Sequence, residues 1–336
     1  MLSIKRIDSL TWPAKILNLV GMIREYKGKE SLFMLQTPEV LETLKRIALM
    51  HSVESSNHMD GMTIPHKRLA LLIEGVRPQS RQEAETAGHH AVLCLVHKSA
   101  RQIPLQPDTI RKLHMEMMQY GTDHKNKEIL PFGEEKGPFS SVPDRHANEA
   151  LDELVKEFRS NRDQEKIDEL ILIGIFIFDF IRLRPFNQSN ERMSRMLALL
   201  LLYQAGFNVG RYISLDKAVE ETKEQYYETL IKSSISYPED TSGLYCWLEY
   251  FFTVLFKCYQ RFEERVGLII NSQRGWKEKQ IKTVVEKMIT NFTIQHVLDS
   301  CPGISRSTIQ RVLNQLSHEQ IIECMSRGRN AQWKKV

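Results

Sequence analysis

The sequence has no run of about 18 uninterrupted apolar residues, which argues against a membrane-spanning helix. Its most apolar stretch, Leu170 to Ile181, is shorter and is broken by Asp179, so it reads as a buried helix and no membrane partner is expected. Cysteine is scarce: Cys94, Cys246, Cys258, Cys301 and Cys324 lie far apart, and no CxxC occurs. An odd number without metal-ligand spacing argues against a disulfide framework and a zinc site and leaves reduced thiols. His58, His89, His90, His97, His114, His124 and His146 form no HExxH pattern, and adjacent His89 and His90 do not share a helix face. Core or surface roles are expected for them, with no metal site. The N-terminus, MLSIKRIDSLTW, is basic but lacks the apolar core and cleavage site of a secretory signal, so a cytoplasmic location is expected. Alternating β-branched runs are nearly absent, so strands are not the main element.

What the sequence does contain is helix. Its 336 residues, 42% hydrophobic and 26% charged, suffice for one large domain and a small one. Apolar residues recur every three or four positions, as in Leu151, Leu154, Val155 and Phe158, and predict a mainly α fold. The spacing predicts one amphipathic helix over Glu149 to Ser160. A second, Asp168 to Leu183, is apolar on nearly every face and belongs at the centre of a bundle. Before them, Pro131, Gly133, Gly137, Pro138 and Pro143 crowd an irregular loop or short hairpin between Lys125 and Arg145. Met115, Met117 and Met118 beside Leu113 read as helix packing.

Arg184-Pro185 ends the central helix, because proline has no amide hydrogen and disfavours helical geometry in the residue before it. Asn187, Ser189 and Asn190 are available as caps for a new helix, Glu191 to Gln204, closed by Gly206. A tight loop of this kind aims backbone N–H groups and a helix dipole at one spot, which suits an anion such as phosphate. Arg192 and Arg195, three apart, share a face and can reach the same anion. The alternative is that both are solvated and pair with surface carboxylates.

The positive charge is concentrated at the C-terminal end. Residues 273–336 hold eleven Lys/Arg against five Asp/Glu, while the whole chain carries only +4, an asymmetry that suggests nucleic acid. Phe292 to Leu298, a Cys301-Pro302-Gly303 turn and Ser305 to Leu316 read as helix, turn and helix. A strand over Ile321 to Met325, a turn through Arg327, Gly328 and Arg329, and a return over Ala331 to Lys334 would make a wing. The segment resembles a winged helix-turn-helix module. Its second helix offers Arg306, Thr308, Gln310, Arg311 and Asn314 to DNA, with Arg327, Arg329, Lys334 and Lys335 for phosphates. A protein-binding or dimerising role for this module, and so a homodimer, stays open.

The loop sequence RPFNQSNERMSR resembles the Fic (Fido) motif HPFx[DE]GNGRxxR, with Pro185-Phe186, Asn190, Arg192 and Arg195 in place. Upstream, the segment Ser55 to Gly61 is similar to the family's inhibitory motif [ST]xxxE[GN], with Ser56 first, Asp60 in the glutamate position and Gly61 after it. Downstream, Tyr226-Tyr227 with Leu230, and Trp247-Leu248 with Phe251-Phe252, resemble the YYxxL and WlxfF segments. The resemblance runs from about Leu41 to Phe262 and places the target-docking flap, with a small hairpin, at residues 125–143. It implies a Fic-type helical bundle, an N-terminal helical region at 1–95, a Fic domain at 96–270 and the winged-helix module at 277–336. It also implies a protein adenylyltransferase, using ATP and Mg²⁺ if activity is retained.

The departures fall on the chemistry. Arg184 stands where the family has its histidine base, and a guanidinium does not accept a proton at physiological pH. Gln188 replaces the acid that holds the metal, and a neutral amide is a poor ligand for Mg²⁺. Ser189 and Glu191 replace the glycines around Asn190, and Glu191 brings negative charge beside any bound phosphate. The nucleotide or anion site is therefore expected at Ser189, Asn190, Glu191, Arg192 and Arg195, with Arg195 pairing to Asp60. Three readings follow: a catalytically impaired Fic protein that binds a partner or DNA, a transferase using a substitute base such as Glu191, Asp144 or His146, or a transcriptional regulator whose Fic domain senses a ligand.

Overall fold

The computed structural model describes residues 2–36, 38–119, 147–236, 241–272, 276–288, 291–301, 304–326 and 331–335. The expected flap at 125–143, the substitute bases Asp144 and His146, and the wing residues Arg327 and Arg329 lie outside the described residues. The chain groups into two compact units, Met1–Ser31 with Leu41–Phe262, and Leu32–Val40 with Glu263–Val336.

The first unit is built from helices. They are α1 (Ala14–Gln36), α2 (Pro38–Met59), α3 (His66–Ile73), α4 (Arg81–Ser99), α5 (Pro107–Gln119), α6 (Ala147–Asp163), α7 (Glu169–Leu183), α8 (Asn190–Gln204), α9 (Leu215–Glu220), α10 (Lys223–Ser236) and α11 (Ser242–Ser272), of which residues 32–36 of α1, 38–40 of α2 and 263–272 of α11 group with the second unit. The expected boundary at residue 95 falls inside α4, and residues on both sides of it belong to this one unit.

Every residue of α7 from Leu170 to Ile181 is buried, as its all-round apolar character requires. Asp168 starts the helix by accepting from the Leu170 amide at 2.8 Å. On either side lie α6 and α8. Gly174 lets α11 come close: the Trp247 indole donates to its carbonyl at 2.9 Å, and a Cβ there would meet Leu248 Cδ2 at 2.6 Å. Asp179, the interruption in the apolar run, is buried and accepts from the backbone amides of Ser3 and Ile4, both at 2.9 Å. It thereby ties the N-terminal 3-10 turn, Ser3–Ser9, onto the central helix. Burial pushes its carboxyl up, while those two amides stabilise the ionised form.

The second unit contains α12 (Trp276–Lys287), β1 (Phe292–Thr293), α13 (Ile294–Ser300), α14 (Arg306–His318), β2 (Ile322–Ser326) and β3 (Gln332–Lys335). The strands form an antiparallel sheet in the order β1-β3-β2, with Trp333 paired to Phe292 on one side and Cys324 on the other. Its core is Ile281, Val285, Phe292, Val297, Val312, Leu313 and Trp333. This order is compatible with the expected winged helix-turn-helix. One detail differs: Phe292 and Thr293, expected to begin a helix, form β1, and Thr293 then caps α13 through the His296 amide. Among the described residues, no helix is long and apolar enough to cross a membrane.

Candidate functional site

The loop between α7 and α8 is shaped by two residues in left-handed geometry, Arg184 (φ 46°) and Ser189 (φ 59°). Both are costly for a residue with a Cβ. Asn190 holds the turn closed, its side chain accepting from the Phe186 amide at 3.0 Å and donating to the Phe186 carbonyl at 2.6 Å. Of the three expected caps, Ser189 occupies the N-cap position, yet its side chain makes no capping bond, because its backbone is left-handed rather than extended. Phe186 is half-buried and stacks on His114 at 3.8 Å. His114 also places Nε2 3.1 Å from the Gln188 carbonyl. Burial holds this imidazole below its ordinary range, so the neutral ring donates there. From sequence, His114 has only a core or surface reading; its contact with this loop is made from α5, and no local spacing signals it.

A face of α2 meets this loop. Ser52, Ser56 and Asp60 are spaced by four and so fall on one side of the helix. The end of α2 explains why Gly61 follows Asp60. Met62 donates to the Asn57 carbonyl at 2.8 Å and Gly61 to the His58 carbonyl at 3.1 Å, with Gly61 at φ 74°. That closure needs a left-handed residue just past the helix. Asp60 is left at the helix C-terminus, where the dipole disfavours a carboxylate, and a cation compensates: Asp60 pairs directly with Arg192.

Arg195, expected as the partner of Asp60, lies 3.9 Å from it. Its close partners are Asp216 of α9, at 2.8 Å, and the Ser56 hydroxyl, at 2.9 Å. Burial alone would lower the Arg195 pKa, but the Asp216 and Asp60 carboxylates outweigh it and raise it. Arg184 pairs with Glu191, so the charge expected to repel an anion is tied to the guanidinium in the base position. Three arginines thus face three carboxylates. His89, fully buried nearby, is driven well below its ordinary pKa by burial and by the charges of Arg192 and Arg195, and stays neutral. Arg192 Nε and Arg195 Nη1 are buried with no acceptor among the described residues.

Residues 104–202 match the family model of the Fic/DOC family. The chain carries a Fic/DOC-family domain. The fold is similar to that of a Fic family protein from Desulfovibrio desulfuricans, with TM-score 0.60, 15% identity and 97% of each chain covered. It is also similar to a Fic domain containing signaling protein from Bacteroides thetaiotaomicron, with TM-score 0.55, 16% identity and coverage of 76% of this chain and 98% of that one. A third match is a variant of Fic-1 from C. elegans, with TM-score 0.57, 19% identity and coverage of 80% and 75%. A comparison with curated proteins gives no match.

The residues of this Fic loop do not fit Mg²⁺. Gln188 offers an amide in place of a carboxylate, its carbonyl backbone faces His114, and Glu191 is held by Arg184. Among the described residues, no three His, Cys, Asp or Glu gather as a metal site. Behind Arg195, Tyr226, Trp247 and Phe251 line a cavity of about 20 Å³, room for about one water.

In the second unit, Arg306, Arg311 and Asn314 are exposed on α14, and Gln310, half-buried, donates to Asn314 at 3.1 Å. Thr308 is not on this outer row: its hydroxyl lies 2.9 Å from that of Ser305, at the helix start. Between Arg306 and His318 there is no carboxylate.

Proposed function

We propose that the Fic domain of this chain does not transfer AMP and that the protein acts by binding. The observation that carries this reading is the Arg184–Glu191 pair. The position that resembles the family's base holds a cation, and the one acid added to the loop is occupied by it. A base must accept a proton within hydrogen-bond reach of the attacking hydroxyl, and neither partner of an Arg–Glu pair is suited to that. Gln188, a neutral amide at the position that resembles the family's metal-holding acid, supports the same reading. Incubating the protein with α-labelled ATP, Mg²⁺ or Mn²⁺ and cell lysate should label nothing. Labelling that disappears with Arg192→Ala would overturn the reading and favour a transferase with a substitute base.

A second reading concerns the C-terminal unit, which we propose contacts DNA through the winged helix-turn-helix. Its support is the outer row of α14, where Arg306, Gln310, Arg311 and Asn314 stand with no acid among them. Arginine, glutamine and asparagine are side chains that read base edges in the major groove, and phosphate contacts make such binding strongest at low salt. Electrophoretic mobility of duplex DNA at about 50 mM salt should shift with the protein and not with Arg306→Glu/Arg311→Glu. No shift at low salt counts against it and leaves the unit as a protein-binding or dimerising module.

A further inference from the structure

The other end of α8 carries a second concentration of arginine with no assigned role. Gln204, the last residue of α8, donates from its amide to the carbonyls of Ala100 at 3.0 Å and Ile103 at 2.6 Å. These two bonds fix the short segment that leads from α4 into α5. Between that segment and the end of α6 lies a cavity of about 300 Å³. Arg101 enters it from the segment, and Arg159 and Arg162, three apart and so on one face of α6, enter it from the opposite side. Gln106 and Gln204 add amide groups, and no carboxylate lines it.

Most arginines of this molecule with a described partner have a carboxylate within reach, as Arg68 has Glu83 and Arg111 has Asp108 and Asp152. These three do not follow that pattern. Among the described residues, Arg101 and Arg159 have no hydrogen-bond or ion-pair partner, and Arg162 reaches Asp163 only at 4.0 Å. Guanidiniums sharing one concavity repel one another and raise the local potential, because the walls restrict screening by water. An anion bound between them removes that repulsion and meets their planar donor forks.

We propose that this cavity binds a small phosphate monoester carrying a hydroxylated body, of the size of a sugar phosphate. The charge of a phosphate dianion matches the guanidiniums. The Gln106 amide and the side-chain oxygen of Gln204, whose amide hydrogens are taken by the Ala100 and Ile103 carbonyls, suit hydroxyls, and about 300 Å³ is the space of roughly ten waters, which admits such a molecule. The site is separate from the Fic loop: α8 runs from Asn190 to Gln204, and at about 1.5 Å per residue the two ends lie about 20 Å apart.

Calorimetric titration of the full-length protein with ribose 5-phosphate, beside ribose and inorganic phosphate, tests this. Ribose 5-phosphate should bind more tightly than either, and Arg101→Gln/Arg159→Gln should weaken it by about tenfold or more, with the control Arg46→Gln, at an exposed arginine of α2, leaving it unchanged. Both replaced side chains are exposed, so thermal midpoints should hold; the single charge reversal Arg159→Glu provides a second readout and should abolish binding. Absence of binding, equal binding of ribose, retention by the double variant, or an equal loss with Arg46→Gln would each overturn the proposal.

Discussion

The two ends of α8 each gather three arginines and treat them in opposite ways. At the N-terminal end, Arg184, Arg192 and Arg195 are buried, and each meets a carboxylate, from Glu191, Asp60 and Asp216. At the C-terminal end, Arg101, Arg159 and Arg162 line an open cavity without an acid. Burial accounts for the difference. A charge taken out of water must be paired, whereas an arginine that keeps solvent on one side can stay unpaired and available. A loop that resembles a phosphate site is therefore filled by the chain's own carboxylates, while the unremarkable end of the helix keeps its cations free.

The comparison breaks most severely at Asp216. Asp216→Asn leaves the Arg195 guanidinium buried with only Ser56 and a distant Asp60, and should cost about 3–5 kcal/mol in denaturant unfolding. A loss under about 1 kcal/mol would mean that the N-terminal arginines are no more dependent on their partners than exposed ones.

Glu30 is the contrasting buried acid, bonded at 3.1 Å to the Tyr259 hydroxyl rather than to a guanidinium. Burial pushes it up to about 7, against the Tyr259 hydroxyl, the Asn208 amide and the charges of Lys27 and Arg211. The folded chain therefore keeps a proton on Glu30 between pH 4.5 and 7 where the unfolded chain releases it. Its contribution to stability is complete below that window and falls as pH rises through it, by roughly 3 kcal/mol. Glu30→Gln should flatten the pH dependence in this range; an unchanged slope would show that Glu30 ionises normally.

Removing the acid that opposes Arg192 should make the first end of α8 resemble the second. Asp60→Ala leaves the buried Arg192 guanidinium without a carboxylate and should destabilise by about 2–3 kcal/mol, less than Asp216→Asn because the 29% exposure of Asp60 lets water enter the space it leaves. It should also create phosphate binding that depends on Arg192, readable by titration with inorganic phosphate. The smallest effect is expected at Ser189, held at φ 59°: Ser189→Gly relieves left-handed strain and should raise stability by at most about 1 kcal/mol.

The helical frame could be read directly from the sequence. Twelve positions of unbroken burial in α7 follow from its all-round apolar face, and Arg184-Pro185 ends it where proline requires. Ser305 caps α14 as its residue type suggests, through the Thr308 amide. The site was legible as a set of residues and not as a set of partners. Arg192 and Arg195 are marked by spacing, but the acid that meets Arg195 lies 21 residues on, in a short helix. Nothing in local periodicity brings Asp216 to α8. Likewise Glu191 reads as a repulsive charge until the left-handed turn at Arg184 swings the guanidinium onto it. Asp179 looked like a flaw in an apolar run because its partners, the amides of Ser3 and Ile4, are 176 and 175 residues away. The three arginines of the open cavity come from two distant segments and share no motif.

The most direct test of a loop occupied by its own carboxylates is calorimetric titration of the unmodified protein with ATP and Mg²⁺. With Arg184, Arg192 and Arg195 each neutralised, no Arg192-dependent binding should be detected up to about 1 mM, which corresponds to about −4 kcal/mol. Micromolar binding that disappears with Arg192→Ala would contradict the account.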